Sequence, residues 1–264
     1  MNLELKGKTA VVTASTAGIG FAIAAALAEE GATVVVNGRT EARVGAALDQ
    51  IRAKAKGATL RGVPGDLATA QGAADFIRLV HEADILVNNL GIYGVKPFSE
   101  LTDADWTNIF EVNVMSGVRL TRHYLPGMLK RNWGRVIFIS SESGQQIPKE
   151  MIHYGMTKTA QIAIARGVAE SVAGTNITVN SVLVGPTASE GLTDFVAGVA
   201  KERGLAVADV EKEFFKSVRP TSLLKRFHTT GEIADVVAFL SSERANSING
   251  AAVRAEGGVV RSIL

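Results

Sequence analysis

Five short apolar, β-branched runs, "TAVVTA", "ATVVVNG", "ADILVNN", "GRVIFIS" and "ITVNSVLV", recur along the chain, each bounded by glycine or a polar turn and followed by a segment of helical period. Runs that are apolar at successive positions expose no polar face, so they suit strands covered by helices on both sides. The pattern predicts an α/β fold, a doubly wound parallel sheet of Rossmann-type topology with helices on both faces. At 264 residues and 47% hydrophobic composition the chain can fill one core, and no linker, repeat or low-complexity tract divides it, so residues 1–264 are expected to form a single domain.

Two helices stand out. One starts at Thr102, whose hydroxyl makes a capping box with Asp105, and runs towards Pro126, which should bend or end it. The other starts near Lys149 and carries "MIHYGMTKTAQIAIARGVAESVA". Between Thr187 and Arg226 the strand–helix rhythm breaks, the expected signature of a substrate lid before "GEIADVVAFLSS" resumes as a helix.

Composition removes several function classes. The 28 basic and 26 acidic residues are spread along the chain and give a net charge of +2, with no basic block for nucleic acid. The absence of cysteine removes disulfides and thiolate chemistry. The four histidines, His81, His123, His153 and His228, lack metal-ligand spacing, so no metal site is expected. No apolar run approaches the ~18 residues of a spanning helix, and the start of the chain is no signal peptide, which leads to the expectation of a cytoplasmic enzyme without a membrane partner.

The first strand runs into "TASTAGIG", residues 13–20, and an alanine-rich helix follows. Such a turn lets backbone N–H groups and a helix N-terminus meet a pyrophosphate, and Gly18 and Gly20 supply the close approach. The spacing departs from G-x-G-x-x-G, with Ala14 where a glycine is expected, so a plain strand-to-helix turn fits the loop as well. The second strand ends "VVVNGRT" without the acid that would bind a ribose 2′-hydroxyl. Gly38 leaves room and Arg39 offers a cation for a 2′-phosphate, which favours NADP(H) over NAD(H), although Glu41 stands close enough in sequence to pair with it. Asp66 suits either an adenine amino group or a helix cap.

In "YGMTK", Tyr154 and Lys158 lie one helical turn apart, a spacing that lets an ammonium stabilise a phenolate and suits proton exchange with a carbinol or carbonyl oxygen, or simply a surface pair. Ser141 follows "GRVIFIS" at a strand end facing the ligand crevice, without the elbow of a serine nucleophile. Asn113, a poor residue for a helix interior, marks either a local kink or a solvent-facing position.

Together, "TxxxxGIG", "NNLG" at Asn88–Gly91, Asn113, Ser141 and Tyr154 with Lys158, in this order, resemble the short-chain dehydrogenase/reductase family over essentially the whole chain. The resemblance implies a catalytic tetrad of Asn113, Ser141, Tyr154 and Lys158, with Lys158 on the nicotinamide ribose and Asn113 supporting a proton relay through water. It places Thr13, Ser15, Gly18, Ile19, Gly20, Arg39 and Thr40 in the cofactor groove. Asp66, Leu67, Asn89, Gly91 and Thr187 belong there too, with the "NNLG" stretch bracing the sheet near the adenine side. It further implies a homotetramer, with the two long helices in one interface and the C-terminal strand in another. The expected activity is an NADP(H)-dependent reductase or dehydrogenase acting on a 3-oxoacyl thioester, ketone, sugar or steroid; the alternative is a dinucleotide-binding regulatory protein with little turnover.

Three features depart from the family. Ala14 brings a methyl group to a position where the family's glycine is free to adopt positive φ; Gly185-Pro186 inverts the usual Pro-Gly; and "VRAEGG" with Glu256 replaces "VDGG". In the lid, Phe195, Phe214 and Phe215 suit a substrate wall or helix packing, and Lys201, Arg203, Lys212 and Lys216 an anionic carrier or a solvated face.

Overall fold

The computed structural model describes residues 2–263, apart from the side chains at 194, 195 and 199. Its strands are β1 (Thr9–Val12), β2 (Thr33–Gly38), β3 (Leu60–Pro64), β4 (Ile85–Asn88), β5 (Gly134–Ser141), β6 (Ile177–Val184) and β7 (Ala252–Ala255). Its helices are α1 (Gly18–Glu29), α2 (Glu41–Lys54), α3 (Ala70–Leu79), α4 (Asp103–Phe110), α5 (Ser116–Arg131), α6 (Ile152–Ser171), α7 (Glu190–Arg203), α8 (Val207–Ser217) and α9 (Thr230–Leu240). The strands pair in parallel as one sheet in the order β3-β2-β1-β4-β5-β6-β7, the Rossmann-type arrangement expected from the apolar runs.

Side chains alternate between the two faces of the sheet, which is why both faces of each run had to be apolar. Val12, Val36, Val87 and Ile139 pack against Ile23 and Leu27 of α1, Ile51 of α2 and Val237 of α9. Val11, Val35, Leu86 and Phe138 pack against Phe76 of α3, Leu120, Tyr124 and Met128 of α5, and Ala165 of α6. Each such side chain contributes roughly 1.5–3 kcal/mol on burial, so the two cores fix which end of every strand faces the crevice.

The Thr102–Asp105 capping box is formed, but the helix it starts is interrupted. A π-helical turn over Glu111–Met115, closed by Ser116 N–H donating to the Glu111 carbonyl, separates α4 from α5. Asn113 therefore sits in a local departure from α-helical bonding and is buried, not facing solvent. Pro126 does not end α5, which continues to Arg131 and stops at Asn132 in the left-handed conformation. Burial of Leu120, Tyr124 and Met128 on either side of the proline holds the helix together against the lost backbone bond. The helix expected from Lys149 begins three residues later, at Ile152.

The stretch between Thr187 and Arg226 is largely helical, formed by α7 and α8. Phe214 and Phe215 pack with Phe227, ring centroids 5.1–5.2 Å apart, so they hold α8 to the loop before α9. The side chain of Phe195 lies outside the described residues. Arg203 pairs with Glu213 and Lys212 with Asp209, while Lys201 and Lys216 are exposed, making this a solvated helix face.

Candidate active site

β1 and β4 are neighbours in the sheet although the chain crosses to β2 and β3 between them, and at such a switch point the loops after the strands part to leave a crevice. The loop after β1 is built by hydrogen bonds to its neighbours. Thr13 Oγ1 accepts from the N–H groups of Asn89 and Leu90 at 2.8 and 2.9 Å. Ser15 Oγ donates to the Val12 carbonyl and accepts from Asn37 N–H. Both hydroxyls are buried and hold the loop's shape through these bonds.

Ala14 has φ +50°, the left-handed conformation that glycine adopts freely. It is held there from both sides: its N–H donates to Asn37 Oδ1 at 3.2 Å and its carbonyl accepts from Asn89 Nδ2 at 3.1 Å. Gly20 is required by crowding, since a Cβ there would stand 2.4 Å from Asn89 Nδ2 and 2.5 Å from the Ala14 carbonyl oxygen. Among the described residues no side chain caps the N-terminus of α1, which opens at Gly18 and leaves its first N–H groups available to an anion.

A cavity of about 730 Å³ lies beyond this loop, lined by Ala14, Gly38, Arg39, Thr40, Asp66 and Leu67 among others. A side chain at Gly38 would collide with Thr16, which explains the glycine. Arg39 is exposed and has no ion-pair partner among the described residues, so the pairing with Glu41 is not formed. Thr40 caps α2. Thr69, not Asp66, caps α3; the Asp66 carboxylate accepts from Ala68 N–H and leaves its edge towards the cavity. Arg43, which sequence reasoning passed over, lines the same cavity and pairs with Glu190 of α7 at 3.2 Å. Its signal was its position one turn into the helix that Thr40 caps.

A second cavity of about 250 Å³ shares Gly91 and Ile92 with the first. Ser141, Tyr154, Lys158 and Thr187 line it with Ile19 and Asn89. Ser141 ends β5 and its Oγ accepts from Ser143 N–H at 3.1 Å, capping a short 3₁₀ turn. Lys158 Nζ is buried, donates to the Ile139 carbonyl at 2.8 Å and to Gln161 Oε1 at 3.1 Å, and stands 5.6 Å from the Tyr154 ring centre. Asn113 does not line the cavity. Its side chain clamps Ile92 through N–H and carbonyl at 2.7 and 2.9 Å and donates to Thr157 Oγ1 at 3.0 Å.

The pairing of Tyr154 with Lys158 needs a correction. Burial pushes the Tyr154 hydroxyl up to about 12, with the Ser141 hydroxyl pulling the other way, and Glu142 and Tyr93 pushing it further up. Burial also pushes the Lys158 ammonium down to about 7. Desolvation thus outweighs the stabilisation of a phenolate that the spacing suggested, and the resting tyrosine is firmly protonated.

Three further features escaped the sequence reading. Tyr93 stands edge-on to Tyr154, ring centres 6.2 Å apart, and lines the cavity. Glu142, next to Ser141, is buried; its Oε1 accepts from Arg219 Nε at 2.8 Å, while Oε2 has no partner among the described residues. Gln161 joins Lys158 to the Asn113 main chain.

The departures have physical accounts. After Gly185-Pro186, Thr187 makes a parallel bridge with His228, and the Pro186 carbonyl accepts from His228 N–H at 2.9 Å, so the inverted pair follows a pinned path that keeps Thr187 on the cavity. Gly185 lets the chain pass Glu256, whose Cα a Cβ would approach to 2.7 Å. Glu256 accepts from Arg254 Nε and from the N–H groups of Val259 and Val260, clamping the C-terminal turn. Among the described residues no cluster of histidine, aspartate or glutamate could hold a metal, and no helix is long and apolar enough to cross a membrane.

Residues 8–200 match the family described as short chain dehydrogenase. The chain is 47% identical to YvaG, an uncharacterized oxidoreductase of Bacillus subtilis (strain 168), over 100% of both chains. It is 34% identical to the 3-oxoacyl-[acyl-carrier-protein] reductase FabG of Aquifex aeolicus (strain VF5), covering 98% of this chain and 100% of the other. In structure it is similar to L-sorbose reductase from Gluconobacter frateurii, solved in complex with NADPH and L-sorbose, with a TM-score of 0.92, 32% identity and full coverage of both chains.

Proposed function

The chain belongs to the short-chain dehydrogenase family, and from that premise we propose that it is an NADP(H)-dependent oxidoreductase, preferring NADP(H) over NAD(H), that interconverts a carbonyl compound and a secondary alcohol. The observation that carries this reading is a pair of adjacent cavities, one lined by Ser141, Tyr154, Lys158 and Thr187 and the other by Arg39, Thr40 and Asp66, with Gly91 and Ile92 in the wall of both.

The residues present fit a dinucleotide. The uncapped N-terminus of α1 faces the loop, Gly20 sits where a Cβ would close it, and Arg39 is an unpaired cation at the end of β2. Gly18, Ile19 and Gly20 would take the pyrophosphate, Arg39 and Thr40 a 2′-phosphate, Asp66 and Leu67 the adenine, and Asn89, Gly91, Lys158 and Thr187 the nicotinamide half. The bound nicotinamide supplies or accepts hydride at the carbonyl carbon. Ser141 holds the substrate oxygen by a hydrogen bond, and Tyr154 gives that oxygen its proton during reduction and takes it back during oxidation. A tyrosine pushed up to about 12 is protonated at neutral pH, as a donor must be. After reduction the Tyr154 phenolate regains a proton from solvent, a charged Lys158 5.6 Å from its ring centre favours that phenolate while it lasts, and Asn113 holds the loop at Ile92 that walls the cavity.

α7 and α8 form the substrate lid of a single catalytic domain. Tyr93 and Leu192 give the substrate side an apolar wall beside the hydroxyls of Ser141 and Tyr154. That mixture suits a small ketone or a sugar, and the likeness to a sorbose reductase supports the polyhydroxy candidate. The proposed protein is a cytoplasmic homotetramer: β7 is an open sheet edge, with Leu223 82% exposed near it, and Phe110 is exposed at the end of α4.

The test is a fluorescence titration with NADPH and with NADH, followed by a ketone and ketose panel that includes L-sorbose. NADPH should bind more tightly, and Arg39→Ala should weaken NADPH alone, by about 1.5–3 kcal/mol. Tyr154→Phe should keep NADPH binding while turnover drops about a hundred- to ten-thousand-fold. Turnover at the wild-type rate in Tyr154→Phe would overturn the mechanism.

A further inference from the structure

Tyr154, Thr157, Lys158 and Gln161 occupy positions i, i+3, i+4 and i+7 of α6 and therefore share one face, which lies against the π turn of Glu111–Met115. Gln161 is 1% exposed. Its Nε2 donates to the Asn113 main-chain carbonyl at 2.6 Å and its Oε1 accepts from Lys158 Nζ at 3.1 Å. The orientation of the amide is forced, because the carbonyl can only accept and the ammonium can only donate. Thr157 closes the ring, accepting from Asn113 Nδ2 and donating to the Tyr154 carbonyl at 2.7 Å.

An apolar residue would satisfy helix packing at position 161 but would leave the Asn113 carbonyl of the π turn without this donor, so the amide serves the fold through Nε2 and Lys158 through Oε1. What the amide does is local: it occupies the Asn113 carbonyl and turns a fixed oxygen towards the ammonium. We propose that Gln161 is a positioning residue for Lys158, holding the ammonium at the cavity in a single orientation and favouring its charged form. The inference rests on the reading of Lys158 as part of the proton-transfer site. An amide passes no proton without changing tautomer, so Gln161 acts through Lys158 and not as a relay.

The groups around Lys158 make Gln161 decisive. Its own helix presents Tyr154, β5 presents the Ile139 carbonyl, and the loop after β4 brings Gly91, whose Cβ would stand 3.5 Å from Nζ. Glu142 and Arg219 lie beyond, towards Tyr154, and pair with each other. Among the described residues no carboxylate forms an ion pair with Lys158, so two neutral oxygens oppose the cost of burying its charge, and one of them belongs to Gln161.

The test follows the titration of Lys158 by NMR of lysine-labelled full-length protein, with Lys158→Arg identifying the signal. Gln161→Leu removes the oxygen and should lower the Lys158 midpoint by about one pH unit, while Gln161→Glu places a carboxylate there and should raise it by a similar amount. Loosened packing would move both variants the same way, so opposite shifts separate the positioning role from a structural one. Coincident midpoints, or shifts of the same sign, overturn the proposal. Should Gln161→Leu fail to fold, Gln161→Glu decides alone: a raised midpoint supports the proposal, and an unchanged or lowered one refutes it. The readout needs no turnover, so a Lys158 shift in a protein that reduces no carbonyl would retire the proposed function and leave only the coupling of Gln161 to Lys158 standing.

Discussion

Ala14→Gly should stabilise the protein. Ala14 is held at φ +50°, where the Cβ of an L-residue crowds the following carbonyl at a cost of roughly 1–2 kcal/mol. Glycine removes that cost but gives the unfolded chain more freedom, which offsets about 0.4–1 kcal/mol. The hydrogen bonds to Asn37 and Asn89 use the backbone of residue 14 and survive the substitution. The expected net gain is about 0.5–1 kcal/mol, read by urea unfolding, or a rise in Tm of about 2 °C. Gly20→Ala is the counterpart, because its Cβ meets the Ala14 carbonyl oxygen at 2.5 Å and backbone cannot give way cheaply. It should lose at least about 1–3 kcal/mol and NADPH binding with it. A destabilised Ala14→Gly, by about 1 kcal/mol or more, would show that the methyl group packs usefully and would refute the strain argument.

Two further outcomes follow from buried charge. Arg219→Met leaves the Glu142 carboxylate buried without its partner and should cost about 3–5 kcal/mol at neutral pH in denaturant unfolding, with a smaller loss at acid pH where Glu142 is protonated; an equal loss at both would refute the charge account. Lys158 makes cofactor-free protein more stable as pH rises from about 7 towards 10.5, because the folded lysine has shed a proton that the unfolded chain still binds. Comparing unfolding free energies of wild type and Lys158→Met across that window measures this, and identical pH slopes would count against a depressed lysine.

How far the sequence could be read depended on whether a contact is local. Strands buried on two faces announce themselves by apolar residues at successive positions, and the Thr102–Asp105 box lies within a single turn, so both were legible. Pro126 does not end its helix, one of the two outcomes expected of it, because Leu120, Tyr124 and Met128 are buried on either side, which no local rule contains. The Arg43–Glu190 and Glu142–Arg219 pairs join positions far apart in the chain and leave no mark in either neighbourhood. Gln161 did leave one: an amide at i+7 from Tyr154, on the same helix face, in an otherwise apolar stretch.

The same distinction governs the chemistry. The spacing of Tyr154 and Lys158 says that the two groups are neighbours, but their proton affinities are set by what surrounds them, and burial drives those affinities apart from ordinary values that nearly coincide, with tyrosine up to about 12 and lysine down to about 7. In the proposed reaction, a protein in that condition rests with the proton on Tyr154, ready to be given to a carbonyl oxygen. Running the reaction as an oxidation requires a phenolate, hence a charged Lys158 beside it. Whatever favours the ammonium therefore favours that direction, and the fixed oxygen of Gln161 is the side-chain group placed to do so.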